Sequence, residues 1–271
     1  VSGISANAAG EALPPPLVVR GVGKSYGEDA GELNEVIGDI SFSLASGEIV
    51  SLVGPSGCGK TTLLNLLSGL IPPTRGSVLW HGKPLHDVPK GVGYMLQKDL
   101  LLPWRTTLKN VTLGLELTAL SQGEREKKAH AILNKVGLAS FHGYYPSALS
   151  GGMRQRVALA RTLVTEPEVI LLDEPFASLD FQTKLILESD MVKLVRSEGR
   201  SVLMITHDVE EAVSLSDRVI VLTHRPSSIK AIHEIHLDAD RGDMMAVRDS
   251  AQFTGYVREI WSQLDVRMGE R

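Results

Sequence analysis

The chain has 271 residues, 43% of them hydrophobic and 22% charged, with a formal net charge of −4. That composition supports one globular domain with a small subdomain, and it gives no support for nucleic acid as a partner, which favours a basic surface. A lone cysteine, Cys58, excludes an intrachain disulfide framework and points to a reducing compartment. No apolar run approaches the roughly 18 residues that span a bilayer, so any membrane link goes through a partner.

Residues 1–16 are small and polar and end in Pro14, Pro15 and Pro16. They read as a disordered leader that stiffens at the prolines, without the basic start and apolar stretch of a signal peptide. Residues 17–22 and 40–44 are predicted strands; in the second, Ile40, Phe42 and Leu44 alternate with polar residues. The β-branched run at 48–53 predicts a more buried strand, and 60–70 a helix. Residues 77–80 followed by Gly82 suggest a hairpin. From 106 to 136 the pattern is mostly helical, with an interruption near Gln122 and Gly123. A helix at 153–164, a buried strand at 169–172 and a helix at 180–196 come next. A strand at 202–205, a helix at 209–215 and a strand at 219–222 follow. The last helix carries Phe253, Tyr256, Val257, Ile260, Trp261 and Leu264 on one face. Strands alternating with helices predict an α/β sheet, with an antiparallel portion at the N-terminal end and a helical insert in the middle.

The sharpest local signal is GPSGCGKTT, residues 54–62, which fits G-x-x-x-x-G-K-[ST] between a strand and an apolar helix. Gly54, Gly57 and Gly59 let the backbone curl so that its N–H groups face phosphate oxygens, and the helix N-terminus adds partial positive charge. The same stretch includes Pro55, Ser56, Cys58 and Thr62. Lys60 can reach the β- and γ-phosphates of ATP, and the Thr61 hydroxyl can ligate Mg²⁺. The alternative, a glycine-rich turn with a chance lysine, does not explain the strand–loop–helix context. Gly21 and Gly23 also follow a strand, but no third glycine falls at the spacing of a dinucleotide fingerprint.

Residues 169–175 read VILLDEP, a buried strand ending in two carboxylates. Asp173 at the strand tip suits a Mg²⁺ shell, through water, and Glu174 suits a general base on the attacking water. Alone, the pair could equally be an exposed turn. A phosphate loop upstream makes a cation site its expected companion, because the nucleotide's charge must be neutralised.

Between these motifs lies LSGGMRQR, residues 149–156, where the sequence resembles the ABC ATPase family. Ser150 is a good N-cap, with Gly151 and Gly152 next, and such a helix start can bind an anion. The resemblance covers about 17–222. It implies a P-loop NTPase (RecA-like) core with an N-terminal antiparallel β subdomain and a helical, signature-bearing subdomain at about 98–165. The ATPase domain would span 17–240, followed by a helical extension at 241–271. It further implies that Tyr26 stacks on adenine, that Gln97 senses Mg²⁺ and the membrane partner, and that Ser178, Leu179 and Asp180 form the D-loop. His207 would be the switch histidine. On their own, Tyr26 reads as a surface aromatic, Gln97 as a loop residue and His207 as a satisfied strand-end histidine.

Residues 101–104 (LLPW), Asn110-Val111, Gly114-Leu115-Glu116, Met153-Arg154 and the last helix resemble the nitrate, sulfonate, taurine and bicarbonate importer group. Thr61 and Ala177-Ser178 depart from that group's usual residues. The resemblance implies two copies sandwiching two ATP molecules head to tail, each site joining one chain's phosphate loop to the other's signature. The pair would drive a permease at the cytoplasmic face of the membrane, supplied by a solute-binding protein. The rival reading, a soluble ABC ATPase of DNA repair or translation, would bring coiled-coil inserts or two cassettes in one chain, and neither is present. A nucleotide-binding subunit without catalysis is opposed by Glu174 and His207.

Overall fold

The computed structural model describes residues 14–27, 34–177 and 179–264. The expected leader therefore lies almost wholly outside the described residues, as does Ser178. The N-terminal half runs β1 (Leu17–Tyr26), β2 (Asn34–Leu44), β3 (Ile49–Val53), α1 (Lys60–Leu67), β4 (Arg75–Trp80), β5 (Lys83–Pro84) and β6 (Val92–Met95). Then come α2 (Thr107–Val111), a 3-10 turn (Thr112–Leu115), α3 (Gln122–Lys135), α4 (Gly151–Leu163) and β7 (Val169–Asp173). The chain continues through α5 (Phe181–Ser197), β8 (Ser201–Ile205), α6 (Val209–Leu215), β9 (Arg218–Leu222) and β10 (Ile229–Glu234). It closes with α7 (Met244–Asp249) and α8 (Ala251–Gln263).

Two sheets form. The antiparallel sheet has the order β2-β1-β4-β5, and its β4–β5 hairpin turns at Gly82 as the sequence suggests. The larger sheet has the order β10-β9-β3-β8-β7-β6, parallel except for the edge strand β10. Every residue of β3, β7 and β8 is buried, as expected of strands covered on both faces. Three apolar clusters hold the layers. One joins α1 to the two sheets, one joins α2–α5 to the large sheet's other face, and a smaller one seats α6, α7 and α8 against β3 and β9.

The parallel order positions the site. Successive neighbours β9, β3, β8, β7 and β6 all end on the same side, so the loops after them form one row. That row brings together residues 223–228, 54–59, His207, Glu174 and Gln97, which are far apart in sequence.

Some boundaries differ from expectation. The helical stretch after 106 breaks at 116–121, and Gln122 and Gly123 open α3 instead of interrupting a helix. The cause is a capping box: Ser121 Oγ accepts from the Glu124 amide, and the Glu124 carboxylate accepts from the Ser121 amide. Strands β6 and β10 and helix α7 escape the sequence reading. β6 has only four residues, and β10 alternates between half-buried and exposed positions at a sheet edge. On α8, Phe253 and Ile260 are buried, with Tyr256, Val257 and Leu264 packed around them, but Trp261 faces solvent.

Candidate nucleotide site

The phosphate loop leaves β3 at Gly54 and enters α1 at Lys60. Gly59 caps α1 in a left-handed conformation (φ 106°), where a Cβ would fall 2.8 Å from Val36 Cγ1, so both conformation and space demand glycine. Lys60 is nearly buried, and its Nζ donates to the carbonyls of Gly54 (2.8 Å) and Pro55 (3.0 Å). The ammonium is thereby held within the loop. Cys58 differs from its neighbours. Its side chain is 1% exposed and belongs to the core under the loop, and burial pushes the thiol up from its ordinary value. Any contribution from Cys58 to phosphate binding is therefore through its backbone, whose N–H here donates to Pro55 O at 3.3 Å.

Beside the loop, Thr61 Oγ1 donates to Asp173 Oδ2 at 3.0 Å. Burial raises the Asp173 carboxyl above its ordinary value, and the Thr61 hydrogen bond opposes that rise. Glu174 occupies a left-handed conformation (φ 47°), uncommon for a residue with a Cβ, and its N–H donates to Ile205 O at 2.9 Å. The adjacent carboxylates thus meet different partners. Asp173 stays with Thr61. Glu174 Oε2 accepts from Gln97 Nε2 at 2.8 Å and lies 3.3 Å from His207 Nδ1. A cleft of about 620 Å³ opens over this row, lined by Ser56, Gly57, Gly59, Lys60, Thr61 and Thr62 on one side. Gln97, Asp173, Glu174 and His207 line the other side, together with Arg225, a residue the sequence reading did not single out.

The remaining expected residues lie elsewhere. Ser150 Oγ accepts from the Met153 amide at 3.3 Å and so caps α4, as its sequence position suggests. Asp180 caps α5 through the Thr183 amide at 3.0 Å, and the Thr183 side chain, then its amide, hold the carboxyl below its ordinary value. Neither of these residues, nor Gly151 or Gly152, lines the cleft of this chain's phosphate loop. Tyr26 ends β1 45% exposed, with Lys24 Nζ 5.2 Å from its ring centre; it too lies outside the cleft lining. Gly152 touches α5: a Cβ there would fall 2.5 Å from Thr183 Cγ2.

The signature helix also holds the loops that carry Gln97 and Glu174. Gln155 Nε2 donates to Pro175 O at 2.6 Å, just after Glu174. Arg154 Nε donates to Asp99 Oδ2 at 3.1 Å, and Arg161 donates to the carbonyls of Asp99 and Leu100, just after Gln97. Sequence reading recognised the helix but not these contacts, because nothing local to 153–164 specifies which loops it meets.

The chemistry of the donor set fits Mg²⁺. Thr61, Asp173 and Gln97 offer hard oxygen donors beside the phosphate loop. Among the described residues no group of three or more His, Cys, Asp or Glu side chains is arranged to hold a metal.

A parallel sheet with a phosphate loop after one strand and a carboxylate pair after another defines a P-loop ATPase. Residues 37–177, more than half of the chain, match the family described as ABC transporter. The chain is 46% identical over 226 residues to an uncharacterized ABC transporter ATP-binding protein, MJ0412, of Methanocaldococcus jannaschii, covering 83% of each. It is 42% identical over 191 residues to the taurine import ATP-binding protein TauB of Yersinia pestis, covering 70% of this chain and 75% of that one. A dimeric post-hydrolysis structure of the ATP-binding cassette MJ0796 with ADP and Pi superposes with a TM-score of 0.72 at 31% identity. It covers 81% of this chain and 99% of that one. The chain belongs to the ABC transporter family as an ATP-binding, ATP-hydrolysing subunit. No helix among the described residues is long and apolar enough to cross a membrane.

Proposed function

We propose that this chain powers uptake of a small solute, an oxyanion or organic anion of the nitrate, sulfonate, taurine or bicarbonate kind, through a partner permease at the cytoplasmic face of the membrane. Support for the solute class comes from the likeness to a taurine import subunit and from the LLPW segment at 101–104. In this reading the backbone of 54–62 and Lys60 hold the phosphates of ATP. Thr61, Asp173 and Gln97 would hold Mg²⁺, which when bound neutralises charge developing on the phosphates. Tyr26 would stack on adenine.

The observation that carries hydrolysis is the convergence on one oxygen of Glu174. With Gln97 and His207 both at Oε2, Oε1 has no hydrogen-bond partner among the described residues and is left to take the proton of an attacking water. The two partners fix the carboxylate's rotation, and the left-handed backbone aims it away from Asp173. Ser150, Gly151, Gly152 and Asp180, absent from this chain's own cleft, would serve the ATP of a second copy in a head-to-tail dimer. The dimeric MJ0796 cassette supports a pairing of two copies. ATP binding would then close two chains together and hydrolysis release them, with the work set by differential affinity for the two states.

The test is Glu174→Gln. The variant is expected to bind ATP, to hydrolyse it at least about 100-fold more slowly, and to accumulate as a dimer with ATP on gel filtration. Wild-type turnover would remove Glu174 from the role of base.

A further inference from the structure

Arg225 lies in the loop between β9 and β10, outside every motif of the sequence reading, yet it lines the same cleft as Ser56, Gly57 and Lys60. Its place follows from the sheet. β9 runs parallel beside β3, with Val221 opposite Val53, so the end of β9 meets the start of the phosphate loop. Leu222 packs against Gly54, where a Cβ would come within 3.0 Å of the Leu222 Cβ.

The loop that carries Arg225 is tied at both sides. The Thr223 amide donates to Ser228 O at 3.0 Å, and the Ser228 amide donates to Thr223 Oγ1 at 2.9 Å. On the other side the Gly38 amide donates to Ser227 O at 2.8 Å, and the Ser227 amide donates to Val36 O at 3.0 Å. Val36 is the residue that abuts Gly59. One short loop therefore bridges both ends of the phosphate loop.

Between those anchors the Arg225 side chain is exposed, and among the described residues it has no hydrogen bond or ion pair. Its positive charge nevertheless acts on Cys58, inside the phosphate loop. Lys60, by contrast, already has two carbonyl partners. A guanidinium presents several N–H donors in a planar fork that matches phosphate oxygens, and here it stands over a cleft with none of them engaged.

We infer that Arg225 is a further nucleotide-binding residue, donating to a phosphate of the nucleotide held by its own chain's phosphate loop. The inference rests on the reading that residues 54–62 bind ATP. Arg225 adds a second cation to a cleft in which Lys60 stands beside the carboxylates of Asp173 and Glu174. It is supplied from the strand flanking β3 on the side opposite Glu174 and His207.

The test is calorimetric titration of ADP, ATP and AMP into wild-type, Arg225→Gln and Arg225→Lys chains, at concentrations where each is monomeric. Arg225→Gln is expected to bind ADP and ATP about tenfold or more weakly, the loss of one charge-assisted contact. Arg225→Lys is expected to recover part of that loss, because it restores the charge without the fork. Thermal unfolding without nucleotide is expected to match wild type, since no intramolecular partner is removed. Normal ADP and ATP affinity in Arg225→Gln, with wild type binding both, overturns the inference and leaves the phosphate-loop reading standing. A wild-type chain that binds neither nucleotide overturns both. Equal weakening of ADP, ATP and AMP with a lowered melting temperature would show that Arg225 only supports the loop, and also overturns it.

Discussion

Thr61 Oγ1 donates to Asp173 Oδ2 at 3.0 Å, joining the first turn of α1 to the last residue of β7. This bond sets two oxygen donors side by side where the phosphates would lie. Thr61→Val keeps the side-chain shape but removes the hydroxyl. It is expected to raise the Mg²⁺ concentration needed for half-maximal ATPase about tenfold or more, whereas Thr61→Ser stays near wild type. A valine variant with an unchanged Mg²⁺ titration would take Thr61 out of the cation site.

A second relationship is buried and ionic. Glu188 on α5 is fully buried, with Oε2 3.2 Å from an Arg248 nitrogen of α7 and Oε1 3.9 Å from Lys184 Nζ. Lys184 also pairs with Glu211 (2.7 Å) and Asp208 (2.6 Å) on the α6 side. Burial pushes Glu188 up to about 7, against the pull of Arg248. The folded state thus holds its proton more tightly than the unfolded chain. This favours the fold at low pH and is lost as pH rises from about 4.5 through about 7. Glu188→Gln, which resembles the neutral form, is expected to gain on wild type between pH 5 and pH 8, by up to about 3 kcal/mol. Melting curves across that range check it. A difference in melting temperature that does not change with pH would place the group's proton affinity elsewhere.

Shared sites can be tested by complementation. Lys60→Ala disables a chain's own phosphate loop, and Ser150→Arg puts bulk and charge at the helix start proposed to serve the other chain. Each alone can form only dimers with two bad sites. In an equal, exchanging mixture half the dimers are hybrids with one good site. If the sites act independently, about a quarter of wild-type ATPase returns, a loss of ~0.8 kcal/mol on the rate scale. Coupling between sites would lower that figure, so recovery well above both parents is the expected outcome. A mixture as inactive as either parent, with subunit exchange demonstrated, would remove the head-to-tail site or require both sites intact.

Trp104 is 71% exposed in the loop before α2. An indole so placed suits contact with the permease. Trp104→Ala is expected to leave ATPase of the isolated subunit nearly unchanged and to impair transport by the full assembly. Normal transport would exclude Trp104 from the coupling surface.

How much of this was legible in the sequence depended on how local each feature is. The phosphate loop was readable because its glycines, lysine and threonine are contiguous in sequence. Asp173 and Glu174 were readable at the end of an apolar strand, as was the expectation of different roles for them; the left-handed backbone at Glu174 that gives them different partners was not. The meeting of Gln97 and His207 on one carboxylate oxygen arises from the strand order β8-β7-β6, which no spacing reveals. Arg225 was missed for the same reason, being delivered by the neighbour on the far side of β3. For Cys58 the motif fixes only the place in the loop; that its side chain lies in the core depends on packing beneath the loop. The break before α3 was misplaced because Gly123 drew more notice than the Ser121–Glu124 pair that begins the helix.

The contact between Gly152 and Thr183 leaves no slack between the first turns of α4 and α5. Thr183 does double duty: its amide secures the Asp180 cap, and its methyl group fills the space where Gly152 has no side chain. The two helix starts therefore behave like meshed teeth. If one shifts towards the other, Thr183 must move and carry the Asp180 cap with it; if it shifts away, a void opens at the contact. A shift of the α4 start would thus press on the α5 start through this methyl group, beside the Gln155–Pro175 hydrogen bond that already ties α4 to the segment after Glu174.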